Sequence, residues 1–160
     1  MEEREARQII KQIISALYYL SMLPAQVIHY DLKPQNIMIN EGHIKIIDFG
    51  LCKLNDTNES KIELTSQGTG TYWYLPPETF DFEHPAKISN KVDIWSTGVI
   101  FYELLYGKRP YGHGQTQNAI ITKCLIKNAT EVNFDEPPPK PYTVSEEAKE
   151  FIRECLQYDQ

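Results

Sequence analysis

The 160-residue sequence carries 16 Lys and Arg against 22 Asp and Glu, a formal charge of −6, with 41% hydrophobic and 24% charged residues. That balance suits one soluble globular core rather than a disordered chain, and its acidic sign argues against nonspecific nucleic-acid binding, which needs a basic face. No apolar run approaches the ~20 residues of a membrane span, Met1-Glu2-Glu3-Arg4-Glu5 lacks the layout of a signal peptide, and three dispersed cysteines, Cys52, Cys124 and Cys155, fit free thiols in a reducing, intracellular compartment rather than a disulfide frame or a zinc site.

In chain order, Glu2 to Leu23 reads as an amphipathic helix, with Ile9, Ile13 and Leu17 on one stripe and Ile10 and Ile14 beside it. Pro24 is expected to end it. Ile37-Met38-Ile39 and Ile44-Lys45-Ile46-Ile47 flank Asn40-Glu41-Gly42-His43, which predicts a short hairpin with a Gly-containing turn. Residues 52–70 are rich in Ser, Thr, Asn and Gly and read as a long exposed loop of the kind that is often functional. Val92 to Tyr106 is apolar nearly all round, broken mainly by Asp93, Ser96, Thr97 and Glu103, so it is expected to be a buried central helix capped by Gly107. Residues 116–127 predict another helix with Ile120, Ile121 and Leu125 inward. Glu136-Pro137-Pro138-Pro139-Lys140-Pro141 reads as a stiff connector. Thr143 with Glu146 has the spacing of a capping box, and Ala148, Phe151, Ile152, Cys155 and Leu156 trace one face of the helix that follows.

The chemistry is concentrated in His29-Tyr30-Asp31-Leu32-Lys33-Pro34-Gln35-Asn36 and Asp48-Phe49-Gly50. Asp31 is a carboxylate that can receive a hydroxyl proton. Lys33 is a cation able to face developing phosphate charge. Asn36 and Asp48 offer an amide oxygen and a carboxylate, hard donors that suit Mg²⁺. The hairpin between them is expected to bring the two together, completing a phosphoryl-transfer set. Singly, each has a bland reading: an Asp-x-Lys on a loop is usually solvated surface, and Asp-Phe-Gly or Asn36 alone is usually a turn. The order of the set, with a strand pair inside it, is what makes coincidence a poor account.

With the later triplet Pro76-Pro77-Glu78, these residues follow the protein-kinase signature of a catalytic-loop Asp and Asn, an Asp-Phe-Gly and an Ala-Pro-Glu-type triplet. The sequence therefore resembles the C-terminal lobe of the protein-kinase family over essentially all 160 residues. The resemblance implies a mainly α member of the α+β protein-kinase fold: a helical C-terminal lobe with a small β-hairpin, and the N-terminal lobe absent. Residues 1–160 would be a partial kinase domain, with the catalytic loop at 29–36 and the activation segment at 48–78. Lys33 in the loop resembles Ser/Thr kinases. By the match of Gly70-Thr71-Tyr72-Trp73-Tyr74-Leu75-Pro76-Pro77-Glu78 to the end of an activation segment, Thr71 would bond Asp31 and Lys33 and shape the acceptor site. Asp93 of Asp93-Ile94-Trp95-Ser96-Thr97-Gly98 would anchor the catalytic-loop backbone. The implied cofactors are ATP and Mg²⁺, with Lys33, Asn36 and Asp48 toward the nucleotide and Asn36 and Asp48 holding the metal.

The match narrows further. Tyr30 stands where most kinases have Arg. Glu63-Leu64-Thr65-Ser66-Gln67-Gly68, Leu105-Tyr106-Gly107-Lys108-Arg109-Pro110-Tyr111-Gly112-His113 and Ala129-Thr130-Glu131-Val132 add to it, and together they resemble the Tousled-like Ser/Thr kinases. That family resemblance implies protein substrates, histone chaperones as partners and a nuclear location; the acidic charge and the lack of an apolar span add the expectation of no direct nucleic-acid or membrane partner. A tyrosine cannot make the bidentate contact by which Arg holds a phosphorylated loop residue, so activity is expected not to depend on such a clamp. Thr57, Ser60, Thr65, Ser66 and Thr69 are candidate phosphosites. No Gly-x-Gly-x-x-Gly occurs in the sequence, so the phosphate-covering loop and the lysine–glutamate pair that kinases need are expected in a lobe outside it, leaving the 160 residues alone weakly active or inactive. Glu78 is likewise expected to lack the arginine that the family places after the last helix. Two other readings stay open: a catalytically silent lobe that serves as a protein interaction module, and a small-molecule kinase, against which the Pro-Pro-Glu segment speaks.

Overall fold

The computed structural model describes residues 1–57, 59–64, 67–129, 131–135 and 143–157. The proline-rich connector at 136–141, the candidate phosphosites Thr65 and Ser66, and Thr130 lie outside the described residues. Helix α1 spans Glu3–Ser21. Its buried stripe is Ala6, Ile10, Ile13 and Leu17, with Ile9 and Ile14 only partly covered. Ile13 and Leu17 are buried as expected, while Ile10, expected beside the stripe, replaces Ile9 in it. The helix stops at Ser21, where the Met22 N–H closes onto the carbonyls of Tyr18 and Tyr19, ahead of Pro24.

Strand β1 (Gln26–Ile28) follows, then a 3-10 turn over Pro34–Asn36. Strands β2 (Ile37–Asn40) and β3 (His43–Ile46) form the expected antiparallel hairpin, with Asn40 opposite His43. Glu41 and Gly42 both have positive φ, 49° and 78°, the geometry of a two-residue turn matched to strand twist. Gln12 holds this hairpin to α1: its Nε2 donates to the Gly42 carbonyl at 2.9 Å and its Oε1 accepts from Ile44 N–H at 3.1 Å.

Residues 52–70 are not the continuous loop that composition predicts. Strand β4 (Lys53–Asn55) pairs antiparallel with β1, and β5 (Ile62–Glu63) pairs with β6 (Lys87–Ile88). Each strand is two or three residues long, too short to show an alternation, and each partner is distant in sequence. The expectation was wrong for that reason.

Helix α2 (Lys91–Tyr106) is the centre of the fold, buried on nearly every side, with Gly107 at φ 70° closing it. Its buried hydroxyls are bonded, while the Trp95 indole N–H has no acceptor among the described residues. Ser96 Oγ donates to the carbonyls of Tyr74 and Val92, and Thr97 Oγ1 to that of Asp93. Helix α3 spans only Gln117–Thr122, with Ile120 buried; Ile126, in the turns beyond it, is the second inward residue, while Ile121 and Leu125 are partly covered. Helix α4 (Glu146–Cys155) buries Ala148, Ile152 and Cys155, with Leu156 after it. Its cap is Ser145, not Thr143: Ser145 Oγ accepts from Ala148 N–H at 3.1 Å. Glu3 of α1 reaches across and accepts from both Ser145 N–H and Oγ at 2.8 Å. It fills the place that a capping-box glutamate would take, so the Thr143–Glu146 expectation is corrected.

Helices α2 and α4 pack through Gly98, where a Cβ would stand 2.6 Å from Cys155 Cβ. A Gly→Ala change in an exposed helix gains about 1 kcal/mol. At Gly98 the same change is expected to cost about 1–3 kcal/mol through overpacking. A urea midpoint raised by Gly98→Ala would contradict this contact.

The helical content, the small hairpin and the buried central helix agree with the expected fold class. The three cysteines are free, Cys155 buried and the other two partly covered. Among the described residues no helix is long and apolar enough to cross a membrane. Tyr18, Tyr19 and Met22 of α1 are each 66% exposed, and Met38 and Ile39 of the hairpin 58% and 56%.

Candidate active site

The loop between β1 and β2 is held from below by α2. Asp93, in the first turn of that helix, accepts from His29 N–H at 2.7 Å and from Tyr30 N–H at 2.9 Å. Its two oxygens thus stabilise a backbone bend in which Tyr30 has φ 67°, a left-handed conformation that costs a non-glycine residue roughly 1–2 kcal/mol. Burial pushes the Asp93 carboxyl up to about 6, against the pull of those two N–H bonds and of His29. His29 is fully buried and keeps one tautomer. Asp31 N–H donates to its Nδ1 at 3.3 Å, so Nε2 carries the proton and donates to the Ile47 carbonyl at 3.0 Å. The ring also meets Phe49 edge-on, centroids 4.8 Å apart.

Above this support four of the five residues singled out from sequence meet directly. Lys33 Nζ donates to Asp31 Oδ2 at 2.6 Å and to Thr71 Oγ1 at 2.9 Å. Thr71 Oγ1 donates to Asp31 Oδ1 at 2.8 Å. Asn36 Nδ2 donates to the Asp31 carbonyl at 2.9 Å and to Oδ2 at 3.2 Å. Asp31 and Asn36 are buried, and Lys33 and Thr71 partly so. A charge pair removed this far from water must be well bonded to be tolerated, and here each Asp31 oxygen has a donor.

Asp48 makes no hydrogen bond to the other four among the described residues. The hairpin nevertheless brings it close: Ile47 N–H donates to the Asn36 carbonyl at 2.9 Å, and Asp48 is the next residue. It is exposed, at φ 61°, with Oδ1 accepting from Gly50 N–H at 3.2 Å. Both Asn36 amide hydrogens point at Asp31, so its Oδ1 is the atom left for a cation, as Oδ2 is for Asp48. An amide oxygen and a carboxylate fit Mg²⁺, which takes one or two protein carboxylates and completes its shell with phosphate and water. Among the described residues no group of three or more His, Cys, Asp or Glu could hold a metal by itself.

Burial raises the Glu78 carboxyl, with a backbone hydrogen bond of its own and then the charge of Lys61 drawing it back. Tyr30 lies fully buried, its phenol pushed up by burial with Glu78 and Tyr72 adding to the shift, and Lys53 Nζ 5.4 Å from its ring centre. Sequence reasoning did not find the Tyr74–Glu103 bond, in which Tyr74 Oη donates to Glu103 Oε2 at 2.6 Å. Nor did it find Arg109, whose guanidinium lies 4.3 Å from the Trp73 ring centre. Neither pair has a local spacing signal. A cavity of about 1160 Å³ between residues 131–135 and α4, lined by Phe134, Glu150 and Arg153 among others, contains none of these side chains.

Comparison with known proteins gives the same direction. The protein kinase domain family matches residues 1–160. Serine/threonine-protein kinase tousled-like 2 of Homo sapiens is 55% identical over 167 residues, covering 99% of this chain and 21% of that protein. Tousled-like 1 of Caenorhabditis elegans is 53% identical over 166 residues, covering 99% of this chain and 17% of that protein. TOUSLED of Arabidopsis thaliana is 50% identical over 163 residues, covering 100% of this chain and 23% of that protein. The chain spans about a fifth of the length of these relatives.

Proposed function

The chain belongs to the protein kinase family, and from that premise we propose that it is the catalytic lobe of a Ser/Thr protein kinase, moving the γ-phosphoryl group of ATP to a protein hydroxyl. The observation that carries this reading is the closed set of bonds joining Asp31, Lys33, Asn36 and Thr71. Residues 29–36 act as the catalytic loop and 48–78 as the activation segment. Asp31 Oδ1, beside Thr71, receives the proton of the attacking hydroxyl and fixes its direction. Lys33 sits beside the same oxygens and offsets charge on the moving phosphoryl group. Asn36 and Asp48 would hold the metal, which would supply positive charge toward the nucleotide's phosphates. Thr71 closes the site on the side of the acceptor.

The test is phosphotransfer from labelled ATP to a Ser/Thr peptide by the full-length protein, with and without Mg²⁺. Transfer that needs Mg²⁺ is expected; full transfer under chelation would overturn the metal assignment. The interaction-module reading would hold instead if the full-length protein bound peptides with no transfer.

Tyr30 adds a regulatory expectation. Its side chain is buried and cannot grip a phosphate, so phosphatase treatment of the active enzyme is expected to leave turnover unchanged. Tyr30→Arg is expected to introduce a dependence on loop phosphate. Loss of activity on dephosphorylation, with Tyr30→Arg making the requirement no stronger, would defeat the idea.

A further inference from the structure

Arg109 is a cation without an acid. Its guanidinium rests 4.3 Å from the Trp73 ring centre, and among the described residues no carboxylate lies within 4.0 Å of it. The nearby acid, Glu103, is bonded to Tyr74 Oη at 2.6 Å. Arg109 Nε is buried and has no acceptor. Stacking occupies the face of a guanidinium and leaves its in-plane N–H donors available, the edge that matches carboxylate and phosphate oxygens.

The platform is built rather than incidental. Trp73 Nε1 donates to the Gly112 carbonyl at 2.9 Å, and a Cβ at Gly112 would stand 3.2 Å from Ile120 and 3.4 Å from Trp73 itself. Gly112 also has φ 59°. The ring is therefore held by a tightly turned backbone segment that favours glycine, and Arg109, three residues before Gly112, lies over the ring. Arg109 N–H donates to His113 Nδ1 at 3.3 Å, which closes the turn that carries it.

Position gives the feature its meaning. Trp73 follows by two residues Thr71, which bonds both Asp31 and Lys33. Two residues span at most ~7 Å, and an extended peptide advances ~3.3 Å per residue. A substrate chain with its hydroxyl at Asp31 would thus carry a side chain to Arg109 within about five residues of the acceptor. We propose that Arg109, stacked on Trp73, binds an anionic side chain of the protein substrate and so selects substrates with an acidic or phosphorylated residue near the acceptor. This rests on the kinase reading for the word substrate; the binding itself does not.

The test uses the full-length protein and fluorescent peptides with one Ser acceptor. Asp, and separately phosphoserine, is placed at each of the five positions on either side, with Ala as reference. Affinity is read by anisotropy. One position is expected to bind about tenfold tighter with the anion than with Ala, the scale of one charge-assisted hydrogen bond. Arg109→Gln should remove that gain, Arg109→Lys should keep part of it, and Arg109→Glu should transfer the preference to a Lys peptide. A gain with Asp and phosphoserine alike supports carboxylate recognition, and a gain with phosphoserine alone supports recognition of previously phosphorylated substrates. No anion-preferring position, or a preference that survives in a folded Arg109→Gln protein, overturns the proposal. Since binding is the readout, phosphotransfer without an anion preference sinks this inference alone, and anion-selective binding without phosphotransfer sinks the kinase reading alone.

Discussion

Asp31→Asn is expected to lower kcat of the full-length enzyme by about 10²-fold or more, the usual contribution of a positioned general base, while leaving the fold intact. The replacement is isosteric, so the loop retains its shape. Its amide has one oxygen where the carboxylate has two. At present Lys33 Nζ and Asn36 Nδ2 address Oδ2, and Thr71 Oγ1 addresses Oδ1. Whichever way the amide turns, an NH₂ group faces one of these donors. The variant has no site for the hydroxyl proton, and Lys33 loses its counter-charge. Steady-state kinetics with ATP and a Ser/Thr peptide, alongside a thermal melt, separate the two effects. Near-normal turnover would refute the assignment of Asp31 as base.

Asp93→Ala is expected to be the most damaging single change to stability. Two buried N–H groups, those of His29 and Tyr30, would lose their only acceptor, at about 1–3 kcal/mol each. Tyr30, at a φ of 67°, would lose the bond from its N–H to Asp93. A total of about 3–5 kcal/mol is a large share of the 5–15 kcal/mol that holds a domain folded. Activity should fall with it, since Asp31 follows Tyr30 directly. Asp93→Asn should cost less, because one amide oxygen still accepts one of the two bonds.

The same residue predicts a pH dependence of defined sign. Its carboxyl is raised from 3.8 to about 6 in the folded protein. Between about pH 4 and pH 6 the folded state therefore holds a proton that the unfolded chain has released, and the contribution of Asp93 to stability declines as pH rises through that window. Urea midpoints of the native and Asp93→Asn proteins across this range should diverge in that sense. An Asp93 contribution that grew with pH would contradict it.

The candidate site was legible in the sequence where its parts are close in the chain. Asp31, Lys33 and Asn36 lie within six residues, and a 3-10 turn over Pro34–Asn36 folds them onto each other. Asp48 was reachable because the hairpin between it and Asn36 has two short apolar runs around a Gly-containing turn that can be read directly. Thr71 was not reachable in this way. Forty residues separate it from Asp31, and only resemblance to a known family pointed to it.

What the order of residues determined by itself is local: the stripe of α1 to within one position, the all-round apolar α2, the hairpin, and the chemical kinds of group in the catalytic loop. Short-range geometry follows from periodicity and turn chemistry, and those are written along the chain. Tertiary structure alone decided the β1–β4 and β5–β6 pairs, the Glu3 cap on Ser145 and the placing of Arg109 on Trp73. Each joins segments between 24 and 142 residues apart, whose meeting depends on how helices bury their faces against α2. A hydrogen bond of that kind has no period to betray it, because it exists only once the core has closed.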